Sequence, residues 1–156
     1  MTQPSLAFRY RAHISLGQVD AAGVIFFPKI YEIAQYALEA FFLSFEEGDA
    51  KRKKKQGGLA SFVRSEKLLP LVVQSRAEYF KPIMHSDNLN VYLSCDHIGR
   101  SSFVLAYQFF LDYDLESVAA TAKIVHTAVD AKTRRPKNLS ENWKKRLLSI
   151  SSSAQA

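Results

Sequence analysis

The chain has 156 residues, of which 47% are hydrophobic and 12% aromatic, a composition typical of one folded domain and not of a disordered chain. Its 21 Lys and Arg outnumber its 15 Asp and Glu, giving a formal net charge of +6, which favours an anionic partner without identifying it. Cys95 is the single cysteine, so an intrachain disulfide is excluded, and without a secretory signal or an apolar run of roughly 20 residues we expect a cytoplasmic protein that does not enter the membrane.

The first third of the chain predicts a strand followed by a long helix. Residues 8–15, FRYRAHIS, alternate apolar and polar side chains, as in a strand with one buried face. A loop is expected over residues 16–27. From residue 28 onward, apolar residues recur at helical spacing and predict a long helix with a broad apolar face: Ile30, Ile33, Ala34, Ala37, Leu38, Phe41, Phe42 and Phe45. Pro28 suits the first turn because its missing N–H costs no helical hydrogen bond there, and Gly48 is the predicted stop.

The remainder of the chain predicts mainly strands. Residues 49–58 are polar and end in two glycines, which indicates a mobile connection. Everything after it is interpreted as strands and turns, with strands at 68–80, 89–97, 101–112 and 117–129, until a short amphipathic helix at 140–149 and a frayed end at 151–156. One strand, one very apolar helix and four further strands predict an α+β domain whose antiparallel sheet wraps the helix.

The common catalytic and cofactor-binding motifs are absent from the sequence. It contains no dinucleotide loop, phosphate loop, nucleophile elbow, HExxH or paired CxxC. The four histidines are far apart, so we expect ordinary strand or turn positions for them and no metal site: His13, His85, His97 and His126. Cys95 falls on the apolar face of its strand, where we expect a small buried hydrophobe and not a nucleophile.

Asp20 is the acidic residue with the most suggestive surroundings. Three small residues, Ala21, Ala22 and Gly23, follow it and would let a substrate approach the backbone closely. The helix predicted from Pro28 offers unpaired N–H groups and a positive dipole end. Such N–H groups stabilise an oxyanion, and a nearby carboxylate can attack a carbonyl or activate water. From the residues alone, the alternative that Asp20 is an ordinary turn residue stays open.

Two stretches resemble a known family. Residues 20–28, DAAGVIFFP, are similar to the signature of hotdog-fold thioesterases of the 4-hydroxybenzoyl-CoA thioesterase type, and residues 69–89, LPLVVQSRAEYFKPIMHSDNL, resemble the strand and turn that follow the helix there. Within that family the chain looks closest to the cyanobacterial and plant branch that hydrolyses 1,4-dihydroxy-2-naphthoyl-CoA on the way to phylloquinone. The resemblance implies a single domain, residues 1–156, with a hotdog fold over about 8–130, in which a five-stranded antiparallel sheet wraps a long central helix, and a basic tail at 131–156.

The resemblance also implies site residues. Asp20 takes the place of the catalytic carboxylate, as nucleophile or general base, and Gly23 lies in the substrate-binding turn. Phe27 takes the place whose backbone N–H polarises the thioester carbonyl; some relatives have Tyr there, so here no phenol assists. The segment that contacts the CoA phosphates in relatives corresponds to Arg100, Ser101 and Ser102. Further positive charge is available from Lys132, Arg134, Arg135 and the basic block at 51–55.

We therefore expect a thioesterase that cleaves an aromatic acyl-CoA, without a metal or redox cofactor. Family members pair through their sheets with active sites at the subunit boundary, so we expect a homo-oligomer, either a dimer or a tetramer. One alternative is a thioesterase for short-chain or fatty acyl-CoA or for acyl carrier protein. Another is a non-catalytic binder of acyl-CoA or nucleic acid, which would have no need of Asp20; nucleic acid is not expected, because neither basic segment is interleaved with stacking aromatics.

Overall fold

The computed structural model describes residues 6–46 and 58–151, which form one antiparallel sheet and three helices. The strands are β1 (Phe8–His13), β2 (Leu68–Tyr79), β3 (Asn88–Ile98), β4 (Ser102–Leu111) and β5 (Ala120–Asp130). The helices are α1 (Lys29–Ser44), α2 (Gly58–Glu66) and α3 (Glu141–Leu148), and a short 3₁₀ helix spans Leu16–Gln18. The sheet order is β1-β3-β4-β5-β2, and every neighbouring pair is antiparallel.

Helix α1 supplies the centre of the core. Seven of its residues are buried along one face: Ile30, Ile33, Ala34, Ala37, Leu38, Phe41 and Phe42. Burying each of the larger side chains contributes about 1.5–3 kcal/mol, so this face holds the helix on the sheet. The prediction of an α+β domain with a five-stranded antiparallel sheet around a long helix is confirmed.

The ends of α1 differ from the prediction in detail. Pro28 is the residue before the helix and not its first member. The helix ends at Ser44, so Phe45 caps it and is 43% exposed instead of continuing the buried face. The predicted stop, Gly48, lies outside the described residues, as do residues 49–57 with their basic block and the terminal residues 152–156.

Helix α2 contradicts the interpretation of everything after residue 58 as strands and turns. Leu59, Phe62 and Val63 follow helical spacing and pack against the core, with Phe62 buried. Gly58 begins the helix with a φ of +74°, and a Cβ there would lie 3.0 Å from Leu43. Glycine at residue 58 is thus required by a left-handed backbone and by the close approach of α2 to α1.

The last two elements close the core. Strand β5 begins at Ala120, three residues later than predicted, because Asp114 accepts hydrogen bonds from the backbone and hydroxyl of Ser117 and holds that segment in a turn. The predicted C-terminal helix is confirmed as α3. Its Trp143 is 1% exposed and packs on Phe42, Phe62 and Phe103. Among the described residues, no helix is long and apolar enough to cross a membrane.

Candidate active site

Asp20 lies in a tight turn whose geometry depends on glycine. The Asp20 N–H donates to the Val24 carbonyl at 2.9 Å, and the Gly23 N–H donates to the Asp20 carbonyl at 3.0 Å. Gly23 has a φ of +79°, the left-handed region that side chains disfavour. The Asp20 carboxylate accepts the Ala22 N–H at 2.8 Å, which fixes its direction while its side chain stays exposed to solvent.

The residues just before α1 leave one N–H without an acceptor. The Phe26 N–H donates to the Gln18 carbonyl and the Phe26 carbonyl accepts from Lys29, both at 2.8 Å. Within residues 6–46 and 58–151, the Phe27 N–H meets no such acceptor. Because Pro28, the residue before α1, has no N–H, the nearest backbone donor preceding the positive end of the helix is the Phe27 N–H.

One cleft brings Asp20 and Phe27 together. Its volume is about 470 Å³, and its other walls come from the same loop and from the chain after β2: Val24, Ile25, Tyr79, Phe80, Lys81, Pro82 and Ile83. The Ile25 N–H donates to the Ile83 carbonyl at 2.7 Å, and this bond ties the two walls together. Asp20, which carries the carboxylate, and Phe27, which carries the unpaired N–H before the helix, thus line one mainly apolar cleft.

Two polar side chains of this cleft were not predicted. The Tyr79 hydroxyl donates to the Phe27 carbonyl at 2.6 Å. Burial, together with nearby Tyr31, raises the pKa of Tyr79 to about 12, so the phenol stays protonated at neutral pH. The Lys81 ammonium donates to Asp114 and Ser117, and hydrogen bonds from Lys81 and Ser117 lower the pKa of Asp114 to about 2. Lys81 is therefore held by the turn after β4.

The predicted phosphate-binding segment lies far from Asp20 within one chain. Arg100 and Ser101 lie in the turn between β3 and β4, and Ser102 is the first residue of β4; the Ser101 carbonyl accepts the Ala128 N–H at 2.7 Å. Tyr79, which lines the cleft, pairs across the sheet with Ala120, and Ala120 pairs with Phe109 of β4. Phe109 is seven residues along β4 from Ser102. At about 3.4 Å per residue this separates the two ends by about 24 Å. The turn after β5, with exposed Lys132, Arg134 and Arg135, lies at the Arg100 end.

The comparison with known families identifies the superfamily of the chain. Residues 14–147 match the sequence model of the Thioesterase-like superfamily. The chain belongs to that superfamily. The resemblance stated from residues 20–28 and 69–89 is thereby confirmed, and so is the hotdog fold that it implied.

Relatives of this thioesterase-like protein carry a common name. A protein of Rippkaea orientalis, 29% identical over 133 residues that cover 85% of this chain and 89% of that protein, is named 1,4-dihydroxy-2-naphthoyl-CoA hydrolase. A protein of Prochlorococcus marinus strain MIT 9303 with the same name is 31% identical over 125 residues, which cover 80% and 78% of the two chains. Among solved structures, a 1,4-dihydroxy-2-naphthoyl-CoA thioesterase from Synechocystis matches with a TM-score of 0.76 and 19% identity, over 91% of this chain and 96% of that one.

Other reactive groups of this thioesterase-like protein lie away from the cleft. Burial raises the pKa of Cys95 to about 11, in keeping with the expected small buried hydrophobe. His126 is buried and stacks on Phe103. No cluster of His, Cys, Asp and Glu within the described ranges could hold a metal ion. A separate cavity of about 510 Å³ crosses the sheet face where Asp96 pairs with Lys123, but Asp20 and Phe27 do not line it.

Proposed function

We propose that this chain hydrolyses an aromatic acyl-CoA thioester, with 1,4-dihydroxy-2-naphthoyl-CoA as substrate. The observation that carries the proposal is the shared cleft of the Asp20 carboxylate and the unpaired Phe27 N–H. The names of the relatives from Rippkaea orientalis and Prochlorococcus marinus support the choice of acyl group. Phylloquinone biosynthesis and a cytoplasmic location stay predictions that go with that substrate.

The chemistry follows from these two groups. With the thioester carbonyl in the cleft, the Phe27 N–H and the positive end of α1 stabilise the negative charge that develops on the carbonyl oxygen. Asp20 either attacks the carbonyl carbon or removes a proton from an attacking water. In either route a carbon–oxygen bond forms, the carbon–sulfur bond breaks, and CoA leaves as a thiolate. If Asp20 attacks, water then hydrolyses the anhydride between Asp20 and the acyl group and so releases the acid; if Asp20 acts as a base, the proton that it takes from water passes to the thiolate or to solvent. Water and the thioester balance this reaction, so neither a metal nor a redox cofactor is needed.

The site is completed, in our proposal, by a second copy of the chain. Strand β2 is at the edge of the sheet, and within the described ranges it pairs only with β5. Three apolar residues on this edge, Leu71, Val72 and Val73, are 42%, 58% and 61% exposed. A long apolar edge strand of an isolated subunit favours pairing with another strand. Two β2 strands related by a two-fold axis would pair antiparallel and extend the sheet across both subunits.

Antiparallel pairing also gives the Arg100 turn a role in the site. Leu71 lies level with Thr127 and Ser102, near the opposite end of β2 from Tyr79. Pairing two β2 strands in opposite directions brings the Arg100 end of one subunit to the Asp20 end of the other. Arg100, Ser101 and Ser102 would then contact CoA bound at the cleft of the neighbouring subunit. A structure from Staphylococcus aureus with a TM-score of 0.75, solved in complex with CoA, has the same fold.

The proposal is tested by CoA release from three thioesters. We expect the highest kcat/KM with 1,4-dihydroxy-2-naphthoyl-CoA, a lower value with benzoyl-CoA and the lowest with palmitoyl-CoA. Preference for palmitoyl-CoA would keep the reaction and reject the aromatic substrate, whereas no release from any of them would reject the enzyme. Sedimentation of Val72→Lys, which places a charge on the β2 edge, should show monomers with little activity; an active monomer would reject the shared site.

A further inference from the structure

The hydrogen bond from Tyr79 to Phe27 joins two parts of the chain that are 52 residues apart. Tyr79 is the last residue of β2, where it pairs with Ala120, so its backbone is fixed by the sheet. Phe27 is in the loop before α1, and its carbonyl accepts the Tyr79 hydroxyl at 2.6 Å. A strand of the sheet thus holds the loop residue whose N–H is, in the proposed function, the donor to the thioester carbonyl.

Phe27 has few other contacts that could hold it. Its side chain is 65% exposed, and its ring packs edge-on against the ring of Phe26, the residue before it, with centroids 5.2 Å apart. The residues before it are held by backbone bonds, from Ile25 to Ile83 and from Phe26 to Gln18, but within the described part of the chain the Phe27 N–H has no such bond. The peptide plane that carries the Phe27 N–H is held by the bond from the Lys29 N–H to the Phe26 carbonyl. The Tyr79 hydroxyl holds the following plane, between Phe27 and Pro28, so the two bonds together fix the backbone torsions of Phe27.

We propose that Tyr79 is a positioning residue for thioester hydrolysis, whose hydroxyl fixes the Phe27–Pro28 peptide and, together with the bond from Lys29 to the Phe26 carbonyl, keeps the Phe27 N–H directed into the cleft. This inference rests on the proposed function, because it assigns Tyr79 a task in the reaction of the same site. Tyr79 acts on the reaction through Phe27. Its hydroxyl proton is already donated to the Phe27 carbonyl, so it supplies no proton to the substrate.

The charge state of Tyr79 suits this task. Burial, with a smaller contribution from Tyr31, raises the pKa of Tyr79 to about 12. The hydroxyl therefore remains a donor throughout the pH range in which thioesterases are assayed. It follows that removing the hydroxyl should lower the rate without changing the shape of the pH profile, whereas loss of a proton-transferring group would remove one limb of that profile.

The hydrogen bond can be measured without any activity. Phe27–Pro28 is the one Phe–Pro pair in the sequence. Labelling with carbonyl-¹³C phenylalanine and ¹⁵N proline therefore singles out the Phe27 carbonyl among 11 phenylalanines. We expect Tyr79→Phe to shift this carbonyl resonance and Tyr31→Phe to leave it in place. Tyr31→Phe is the matched control because it removes a neighbouring, partly buried phenol that makes no bond to Phe27.

Steady-state kinetics test the effect on the reaction. With 1,4-dihydroxy-2-naphthoyl-CoA, Tyr79→Phe should lower kcat about two- to tenfold, as expected for one hydrogen bond that orients a donor in the transition state. KM should stay within about a factor of two, because the bond joins two groups of the protein and orients a donor that acts in the transition state. Tyr31→Phe should match the wild type in both constants.

Each result bears on the inference. A carbonyl shift together with a lower kcat and an unchanged pH profile supports it. A carbonyl that does not move in Tyr79→Phe overturns the bond, and a carbonyl shift with wild-type kcat overturns the positioning role. If the wild type cleaves no thioester, the proposed function and the role of Tyr79 in it both fail, while the carbonyl shift separately shows whether the bond exists.

Discussion

His126 makes the stability of this fold dependent on pH. Its ring is 4% exposed and stacks on Phe103, with centroids 4.7 Å apart and planes at 10°. Its neighbours across the sheet are Phe103 and Val72, neither of which carries a charge, and Nδ1 has no hydrogen-bond partner among the described residues. Burial accordingly lowers the pKa of His126 from 6.5 to about 4, partly opposed by a bond with the Ile124 backbone.

The size of the effect follows from linkage. Above pH 6.5 the imidazole is neutral in both folded and unfolded chains, so stability is at its full value. Between pH 6.5 and pH 4 the unfolded chain binds a proton at His126 and the folded chain does not, so the free energy of unfolding falls by about 1.4 kcal/mol for each unit by which the pH is lowered. Lowering the pH from 7 to 5 should therefore cost about 2 kcal/mol through His126, since about 1.5 units of the change lie below its unfolded pKa.

The assay compares wild type with His126→Phe by urea unfolding at pH 7 and pH 5, at one protein concentration. Phenylalanine keeps a ring against Phe103 and removes the titration, so the variant should lose about 2 kcal/mol less than the wild type over this interval. The exposed His85 supplies the control, because His85→Gln should follow the wild type. Equal loss of stability in wild type and His126→Phe would refute the reasoning.

Three further changes test the turn, the proposed phosphate contact and the C-terminal helix. Gly23→Ala should lower the free energy of unfolding by about 1 kcal/mol, because its φ of +79° strains any residue with a side chain, although the atom nearest to a Cβ there is 3.9 Å away. Gly17→Ala is the control: a Cβ at residue 17 meets open space, so thermal unfolding should not change. Equal effects of the two substitutions would contradict the strain at Gly23. Arg100→Gln should raise KM severalfold with kcat intact and weaken the dependence of KM on salt, and an unchanged KM would remove Arg100 from the CoA site. Ser140→Ala should lower the free energy of unfolding, measured in urea, by about 1 kcal/mol. The Ser140 hydroxyl accepts the Trp143 N–H at 3.2 Å at the start of α3 and also donates to Glu66. Wild-type stability in this variant would show that the cap contributes nothing.

The sequence could predict the parts of the fold that depend on local periodicity. The seven buried residues of α1 follow the spacing visible between Ile30 and Phe42, and the alternation in β1 is equally direct. Helix α2 was missed because it is nine residues long and its apolar positions, with Phe62 at the centre, follow a polar, glycine-containing stretch that favoured a loop. The late start of β5 depends on hydrogen bonds of the Asp114 side chain, which no periodicity indicates.

The candidate site divides in the same way. Asp20 and Phe27 are seven residues apart, so one loop carries both, and the sequence around them was sufficient to find them. Tyr79 is 52 residues from Phe27 and meets it because the end of β2 packs beside the start of α1. Lys81 likewise lines the cleft, although the Asp114 that binds it is 33 residues away. Contacts of this kind depend on how the sheet and α1 pack in three dimensions, and single-sequence patterns do not contain them.

The central claim is that Asp20 acts on a thioester, and CoA release by Asp20→Asn tests it most directly. Asparagine keeps an oxygen that can accept the Ala22 N–H, now 2.8 Å from the carboxylate, so the turn should survive while the nucleophile or base is lost. With 1,4-dihydroxy-2-naphthoyl-CoA we predict a fall in kcat of at least about a hundredfold. Asp96→Asn, which breaks an ion pair with Lys123 away from the cleft, should stay near the wild-type rate. Wild-type kcat in Asp20→Asn would contradict the account and return Asp20 to a turn residue.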